Sequence, residues 1–268
     1  MPRYETVTIA RDEEANLGAT LEALARQSLP PGQRVVVDDG SKDGTGAIAE
    51  KAGCTVVRLP SHEASYLGRP ELASVINAGL EKVSPAADYV LIVDADNQLD
   101  EDYAGDLIAE MELDPKVAAA SGEIQGERGD LETPRNSGFT VRTSAWRGLN
   151  GMRYPVMYGY EGWLRFKFAQ SGLSTKVYPG IRSVVRRKTR LKGVYDGRAM
   201  FVLGYSPLYA LGRVAVNFPS QPSESLRVLA GYLARGGLER SDVADWVGKR
   251  QKSLLLEKAR QSFARGLR

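Results

Sequence analysis

Residues 88–102, DYVLIVDADNQLDED, constrain this chain more than any other stretch. An unbroken apolar run, residues 89–93, ends abruptly in two carboxylates one residue apart, Asp94 and Asp96, with the carboxamide of Gln98 just beyond. Such a run predicts a strand buried on both faces of a parallel sheet. Acids at its carboxyl end then stand where open α/β sheets bind ligands. An isolated D-x-D is more often a solvated acidic turn, so its meaning depends on what the rest of the chain brings beside it.

The first half of the chain alternates short strands with helices. Residues 6–10 form a β-branched run. Asp12 is expected to cap the following helix, with Glu13 and Glu14 in its first turn and Leu17, Leu21 and Leu24 at helical spacing. Residues 34–37 predict a second strand ending in Asp38-Asp39-Gly40-Ser41, and Ser41 or Asp43 caps the next helix. A third strand around Cys54, a polar loop with Pro60 and Pro70, and a helix through Ala73, Ile76 and Leu80 lead into the strand at 89–93. Asp100 or Asp102 opens a further helix, and residues 117–120 start another strand. Repeated βαβ units imply a right-handed, mostly parallel sheet with helices on both faces. Three strand ends, at Arg11 to Glu13, Asp38 to Ser41 and Asp94 to Gln98, then converge on one edge.

Neither G-x-G-x-x-G nor a P-loop Lys-Ser/Thr occurs in VDDGSKDGTG, which argues against dinucleotide and Walker-type binding. Two close carboxylates plus an amide oxygen instead suit a hard divalent cation, Mg²⁺ or Mn²⁺, completed by diphosphate oxygens. Asp39 is placed to accept hydrogen bonds from a base N–H or a ribose hydroxyl. One of Asp38 and Asp39 is expected to serve only the turn and the helix cap.

Of the 268 residues, 43% are hydrophobic and 26% charged, ordinary for a soluble globular protein. The single cysteine, Cys54, excludes an internal disulfide and points to a reducing, cytoplasmic setting. No window reaches the roughly 18 apolar residues of a spanning helix, and the first ten residues lack the apolar core of a cleaved signal. The net charge of +3 is uneven: residues 182–192 are rich in Arg and Lys without an acid, and the last twenty residues are also basic. Both patches favour anionic partners.

VTIARDEEANLGATLEAL, VVVDDGSKDGT, the helix ending in NAGL, VDADNQ, SGFTVRTSAW and GYEGWLRFKFAQSG resemble, in order and spacing, family 2 glycosyltransferases over residues 5–180. The resemblance implies the α/β GT-A fold, an open, mostly parallel, twisted nucleotide-binding sheet flanked by helices. It further implies transfer of a sugar from a UDP- or GDP-sugar, predominantly with inversion. Ala10, Arg11 and Glu13 would lie near the nucleotide, Asp39 on the base or ribose, Asp94 toward ribose and diphosphate, and Asp96 on the metal. DADNQ also resembles the DAD-x-Q of polyprenyl-phosphate sugar transferases, which adds Gln98 to the metal shell and a polyprenol-linked acceptor to a plain glycan. Arg11, Arg69, Arg186 and Arg187 are candidates to stabilise the leaving diphosphate.

The family's Glu-Asp pair reads Glu161-Gly162 here. Either Glu161 alone is the base, or the acceptor is a phosphate that needs none. The late histidine of the metal shell is replaced by SVVRRKTR, so either the metal binds more weakly or Arg186 meets the diphosphate directly. The only histidine, His62, reads as a surface residue. These features divide the chain into a catalytic domain, 1–183, and a basic, amphipathic helical region, 184–268. Within the latter, GRAMFVLGYSPLYALGRVAVNF suits either a helical hairpin in the membrane interface, hence peripheral contact at the cytoplasmic face, or a subdomain packed on the core. A final basic helix is expected over 241–265. A nucleotidyltransferase should carry a glycine-rich basic loop after its first strand, which residues 10–16 lack. A nucleic-acid binder gives no reason for acids to converge, so no nucleic-acid partner is expected.

Overall fold

The computed structural model describes residues 2–127, 131–187 and 192–254. The chain forms two compact units, each discontinuous in sequence: residues 1–65, 73–155 and 171–189 in the first, and 66–72, 156–170 and 190–268 in the second.

The first unit is an eight-stranded sheet in the order β3-β2-β1-β4-β7-β6-β8-β5. Strands β1 (Tyr4–Ala10), β2 (Arg34–Asp38), β3 (Thr55–Arg58) and β4 (Tyr89–Asp94) pair in parallel, as the βαβ alternation requires. Beyond β4 the sheet becomes mixed. β7 (Phe139–Arg142) runs antiparallel to both β4 and β6 (Val117–Ile124), and β5 (Asn97–Leu99) runs antiparallel to the long β8 (Ser174–Val185). Those later strands are not separated by crossover helices in the regular way, so their directions could not be read from periodicity.

Side chains alternate across the strands and give the sheet two covered faces. Leu17, Leu21 and Leu24 of α1 (Leu17–Ala25), with Leu107, Ile108 and Met111 of α4 (Tyr103–Leu113), pack on Tyr4, Val36, Leu91 and Val93. All of residues 89–93 are buried, as predicted for a strand covered on both sides. Cys54 packs against this cluster, and burial pushes its thiol above the usual range.

One capping expectation fails. Asp12 does not cap α1: it sits at φ +53°, Asn16 precedes the helix, and the helix starts only at Leu17. The segment between β1 and α1 is instead laced to the loop after β2. The Asp12 N–H donates to Ser41 Oγ (3.0 Å), Glu13 N–H to Thr45 Oγ1 (2.8 Å) and Glu14 N–H to Asp43 Oδ2 (3.1 Å). In return Asp12 Oδ1 accepts from Lys42 N–H (2.7 Å) and Glu14 Oε2 from Gly44 N–H (2.9 Å). The polar residues expected to cap two separate helices thus bind one another and clamp the ends of β1 and β2.

The second unit is helical: α6 (Tyr160–Gln170), α7 (Val194–Val202), α8 (Pro207–Asn217), α9 (Pro222–Leu233), and residues 244–254, which are helical; the rest of the expected final helix lies outside the described residues. Its core holds Met200, Phe201, Val202, Ala210, Val228 and Tyr232. α7 and α9 touch backbone to backbone. A Cβ on Gly197 would lie 2.0 Å from the Val228 carbonyl oxygen, and one on Gly231 2.1 Å from that of Val194, so neither position accepts a side chain. The segment read as a possible interfacial hairpin therefore splits: α7 turns its apolar residues inward, whereas α8 buries only Ala210 and leaves Leu208, Leu211, Val216 and Phe218 exposed. Among the described residues no helix is long and apolar enough to cross a membrane.

Candidate functional site

Three elements of the first unit bring buried acids to the carboxyl edge of its parallel strands. After β2, Asp38 and Asp39 are both buried, but they do different things. Asp38 Oδ1 accepts from Ser41 N–H (3.0 Å), and Oδ2 lies 3.3 Å from Arg58 Nη1, so Asp38 holds the turn. Asp39 faces a different group: His62 Nε2 lies 3.1 Å from its Oδ1. Gly40 makes this approach feasible. Its φ is +69°, and a Cβ there would lie 2.6 Å from Ser61 Cα and 2.7 Å from the Pro60 carbonyl oxygen, so only glycine lets the 60–62 segment fold down.

His62 is therefore not the surface residue its loop position suggested: its side chain is 16% exposed and meets Asp39 on one side and Arg11 on the other. Arg11 Nη1 lies 2.9 Å from His62 Nδ1 and donates to the Ala64 carbonyl oxygen (2.6 Å), while Nη2 donates to the carbonyl oxygen of His62. Arg11 thus anchors the 62–64 loop. Burial pushes the Asp39 carboxyl above the usual carboxylate range; the hydrogen bond and charge of His62 and the charge of Arg11 oppose that shift, and the charge of Asp38 adds to it. The sequence signal for His62 was there in principle, because a buried aspartate at a strand end needs a polar partner and β3, which precedes His62, pairs with β2. The main-chain oxygen of Ala10 accepts from Asp39 N–H (2.9 Å), which fixes this acid to the end of β1.

At the end of β4 a turn at Ala95 and Asp96 separates the two acids of the D-x-D. Asp94 is exposed, and its N–H donates to Ser137 Oγ (3.0 Å). Asp96 is buried. The turn between them is pinned by Thr20 Oγ1, which donates to the Ala95 carbonyl oxygen (2.8 Å). β5 then pairs with β8 so that Asn97 stands opposite Val185 and Gln98 opposite Val184, which delivers Arg186 and Arg187 to Asp96. The Arg186 N–H donates to the Asp96 main-chain oxygen (3.2 Å). Arg187 donates from Nε to Asp96 Oδ2 (2.8 Å), from its main-chain N–H to the same oxygen (3.3 Å), and from Nη2 to Glu13 Oε1. Glu13 is also buried; its Oε2 accepts from Asn16 Nδ2 (2.7 Å), and Asn16 Oδ1 accepts from Arg186 Nη1 (3.0 Å). Asp96, Arg187, Glu13, Asn16 and Arg186 form one network joining the ends of β1, β4 and β8. Asn16 is a member that sequence reasoning missed, because its family-like position offered no chemistry until the fold placed it between two charged groups.

The donor set admits a divalent ion only in part. Asp96 presents a carboxylate and Gln98 follows on β5, but among the described residues no group of three or more His, Cys, Asp or Glu side chains could hold a metal. An ion held by one carboxylate and completed by diphosphate oxygens and water fits this set, whereas a cage made of protein alone does not. Arg187 already lies on the Asp96 oxygen.

Glu161 and Arg69 lie in the second unit. Glu161 is half-buried in the first turn of α6. A Cβ at the following Gly162 would lie 2.9 Å from Leu203 Cδ1, which leaves little room for the family's aspartate unless Leu203 moves. Another acid of this unit, Asp196, is near enough to feel Glu161. Burial pushes its carboxyl above the usual range, the Lys192 main-chain N–H and the charges of Lys192 and Arg213 oppose this, and the charge of Glu161 adds to it. Arg69 Nη2 pairs with Glu71 Oε1 at 3.1 Å. The basic residues at 188–191 lie outside the described residues.

Solved structures share this fold. A mannosyltransferase from Pyrobaculum calidifontis, solved with GDP-Man and Mn²⁺, superposes with a TM-score of 0.63 at 17% identity, covering 98% of this chain and 83% of that one. Glucosyl-3-phosphoglycerate synthase from Mycobacterium tuberculosis, solved with Mn²⁺, UDP and glucosyl-3-phosphoglycerate, gives 0.56 at 17% identity over 90% and 82%. S. aureus TarS 1-349 with UDP-GlcNAc gives 0.55 at 18% identity over 87% and 72%. At these identities the likeness shows the fold alone. No curated protein matches the chain by sequence. The sequence profile described as glycosyl transferase family 2 matches residues 6–188, more than half of the chain, and with it the chain belongs to that family and is a glycosyltransferase of the GT-A fold.

Proposed function

We propose that this enzyme transfers a sugar from a UDP- or GDP-sugar, held at the ends of β1, β2 and β4, to a glycan or polyprenol-linked acceptor, with inversion. The observation that carries the reading is the arrangement of two buried acids along one sheet edge: Asp39, set to accept from a base or ribose, and Asp96, set among arginines that suit a diphosphate. Ala10 and Glu13 frame the nucleotide, Arg11 holds the loop beside it, and Asp94, exposed at the mouth of β4, faces ribose and diphosphate. Arg186 and Arg187 supply positive charge for the leaving group. Mg²⁺ or Mn²⁺, with Asp96 and Gln98 as protein ligands, would neutralise charge that develops on the diphosphate. Glu161 is the base for an acceptor hydroxyl, and residues 1–183 form the catalytic domain.

Thermal-shift and calorimetric titration with UDP, GDP, ATP and a short oligonucleotide, each with and without Mn²⁺, tests this reading. UDP or GDP should give the largest shift, and stabilisation by the oligonucleotide alone would sink it.

A lipid-linked acceptor is supported by the exposed apolar side of α8 within the basic 184–268 region, which suits peripheral contact with the cytoplasmic face of a membrane. Flotation with anionic liposomes at low and high salt checks this: the protein should float at low salt, and a protein that stays at the bottom in both removes the membrane.

A further inference from the structure

Burying two carboxylates costs free energy unless each is paired and hydrogen-bonded. The side chains of Asp96 and Glu13 are only 5% and 8% exposed, and one guanidinium serves both. Arg187 engages them through Nε and Nη2, while its own side chain remains 66% exposed. A guanidinium carries five N–H donors, and these side-chain contacts use two of them. The position is rigid, because the β5–β8 ladder ends at Asn97 and Val185 and the next two residues of β8's continuation bond directly to Asp96. Arg186 stands beside it, tethered through Asn16 to the other oxygen of Glu13. A fixed, positively charged fork with free donors matches the planar, bidentate recognition of phosphate oxygens.

The same geometry bears on the divalent ion. A cation approaching Asp96 meets a full positive charge already bonded to that carboxylate. We infer that Arg187 is the resident cation of the diphosphate subsite: it occupies Asp96 when no metal is present, donates to the diphosphate itself, and makes nucleotide binding largely independent of divalent ions. This rests on the nucleoside-diphosphate reading above and deepens it.

Calorimetry of UDP and GDP in EDTA and in Mn²⁺, together with Mn²⁺ alone followed by its electron paramagnetic resonance, tests the inference on the wild type, Arg187→Gln and Arg187→Lys. The wild type should bind one of the two nucleotides in EDTA within roughly threefold of its affinity in Mn²⁺, and Arg187→Gln should lose roughly tenfold or more in EDTA, as expected for a charge-assisted fork. Mn²⁺ should restore binding to Arg187→Gln, and Mn²⁺ alone should bind this variant more tightly than the wild type. Arg187→Lys, which keeps the charge on Asp96, should retain most of the EDTA binding, and it carries the test if the Gln variant melts early. Wild-type binding that requires Mn²⁺ and is unchanged in Arg187→Gln overturns the inference and leaves the donor reading standing. Failure of both nucleotides to bind in any condition overturns the donor reading, and the inference with it.

Discussion

The acids of the first unit and those of the second are held by different partners. At the sheet edge, Asp96 and Glu13 share a guanidinium, and Asp39 has an imidazole at 3.1 Å with Arg11 behind it. In the helical unit, Glu161 opens α6 half-buried, and Asp196, also half-buried, is within reach of Glu161's negative charge. A carboxylate hydrogen-bonded to a fixed cation is suited to binding. Burial raises the carboxyl of Asp196, and the charge of Glu161 adds to that rise. The proposed function assigns binding to the first set and proton transfer to Glu161 of the second.

The largest expected effect breaks the second half of that assignment. Glu161→Gln should lower kcat by roughly a hundredfold or more with nucleotide affinity unchanged, the range for loss of a general base; activity near wild type would mean that the acceptor supplies its own anion. Next, Asp96→Asn should weaken binding of Mn²⁺ itself by roughly a hundredfold, about 2.7 kcal/mol, without loss of the cooperative melt. Unchanged Mn²⁺ affinity, measured by calorimetry, removes Asp96 from the ion.

The smallest expected effect concerns Asp39 and sharpens the first half. Asp39→Asn should cost roughly tenfold in nucleotide affinity, the scale of one hydrogen bond to a charged acceptor. It should also remove a pH dependence. The Asp39 carboxyl is raised by burial, so wild-type affinity should fall on acidification at a pH above the ordinary carboxylate range, as the acceptor takes a proton. Stability has the opposite sign. The folded protein holds this proton more tightly than the unfolded chain, so Asp39 stabilises least once pH has risen through the raised value. Melting curves and titrations of both proteins across acidic pH check the two slopes, and identical curves would place the effect elsewhere.

Much of the binding edge was legible because it is local. A continuous apolar run ending in Asp94-Ala95-Asp96 predicts a doubly covered strand with acids at its mouth, and β4 is that strand. Of the paired acids after β2, one is expected to serve only the turn and helix cap, and Asp38 on Ser41 and Arg58 holds that turn. His62 was misread because its role depends on Gly40 letting a distant loop close over β2. Asp12 was misread because capping preferences describe an isolated helix, whereas here two loops satisfy one another's N–H groups. α7 and α8 looked alike in composition, and packing against α9 through Gly197 and Gly231 turned one inward and left the other exposed.

By itself the sequence determined the parallel half of the sheet, the family, and the acids at the ends of β2 and β4, because strand burial and turn chemistry act over a few neighbouring residues. Only the tertiary structure decided what each acid faces. Arg187 lies 91 residues from Asp96 and 174 from Glu13, and no local rule connects positions so far apart. The β5–β8 ladder does so, because two buried carboxylates at a sheet edge must find a cation and the antiparallel register puts one there.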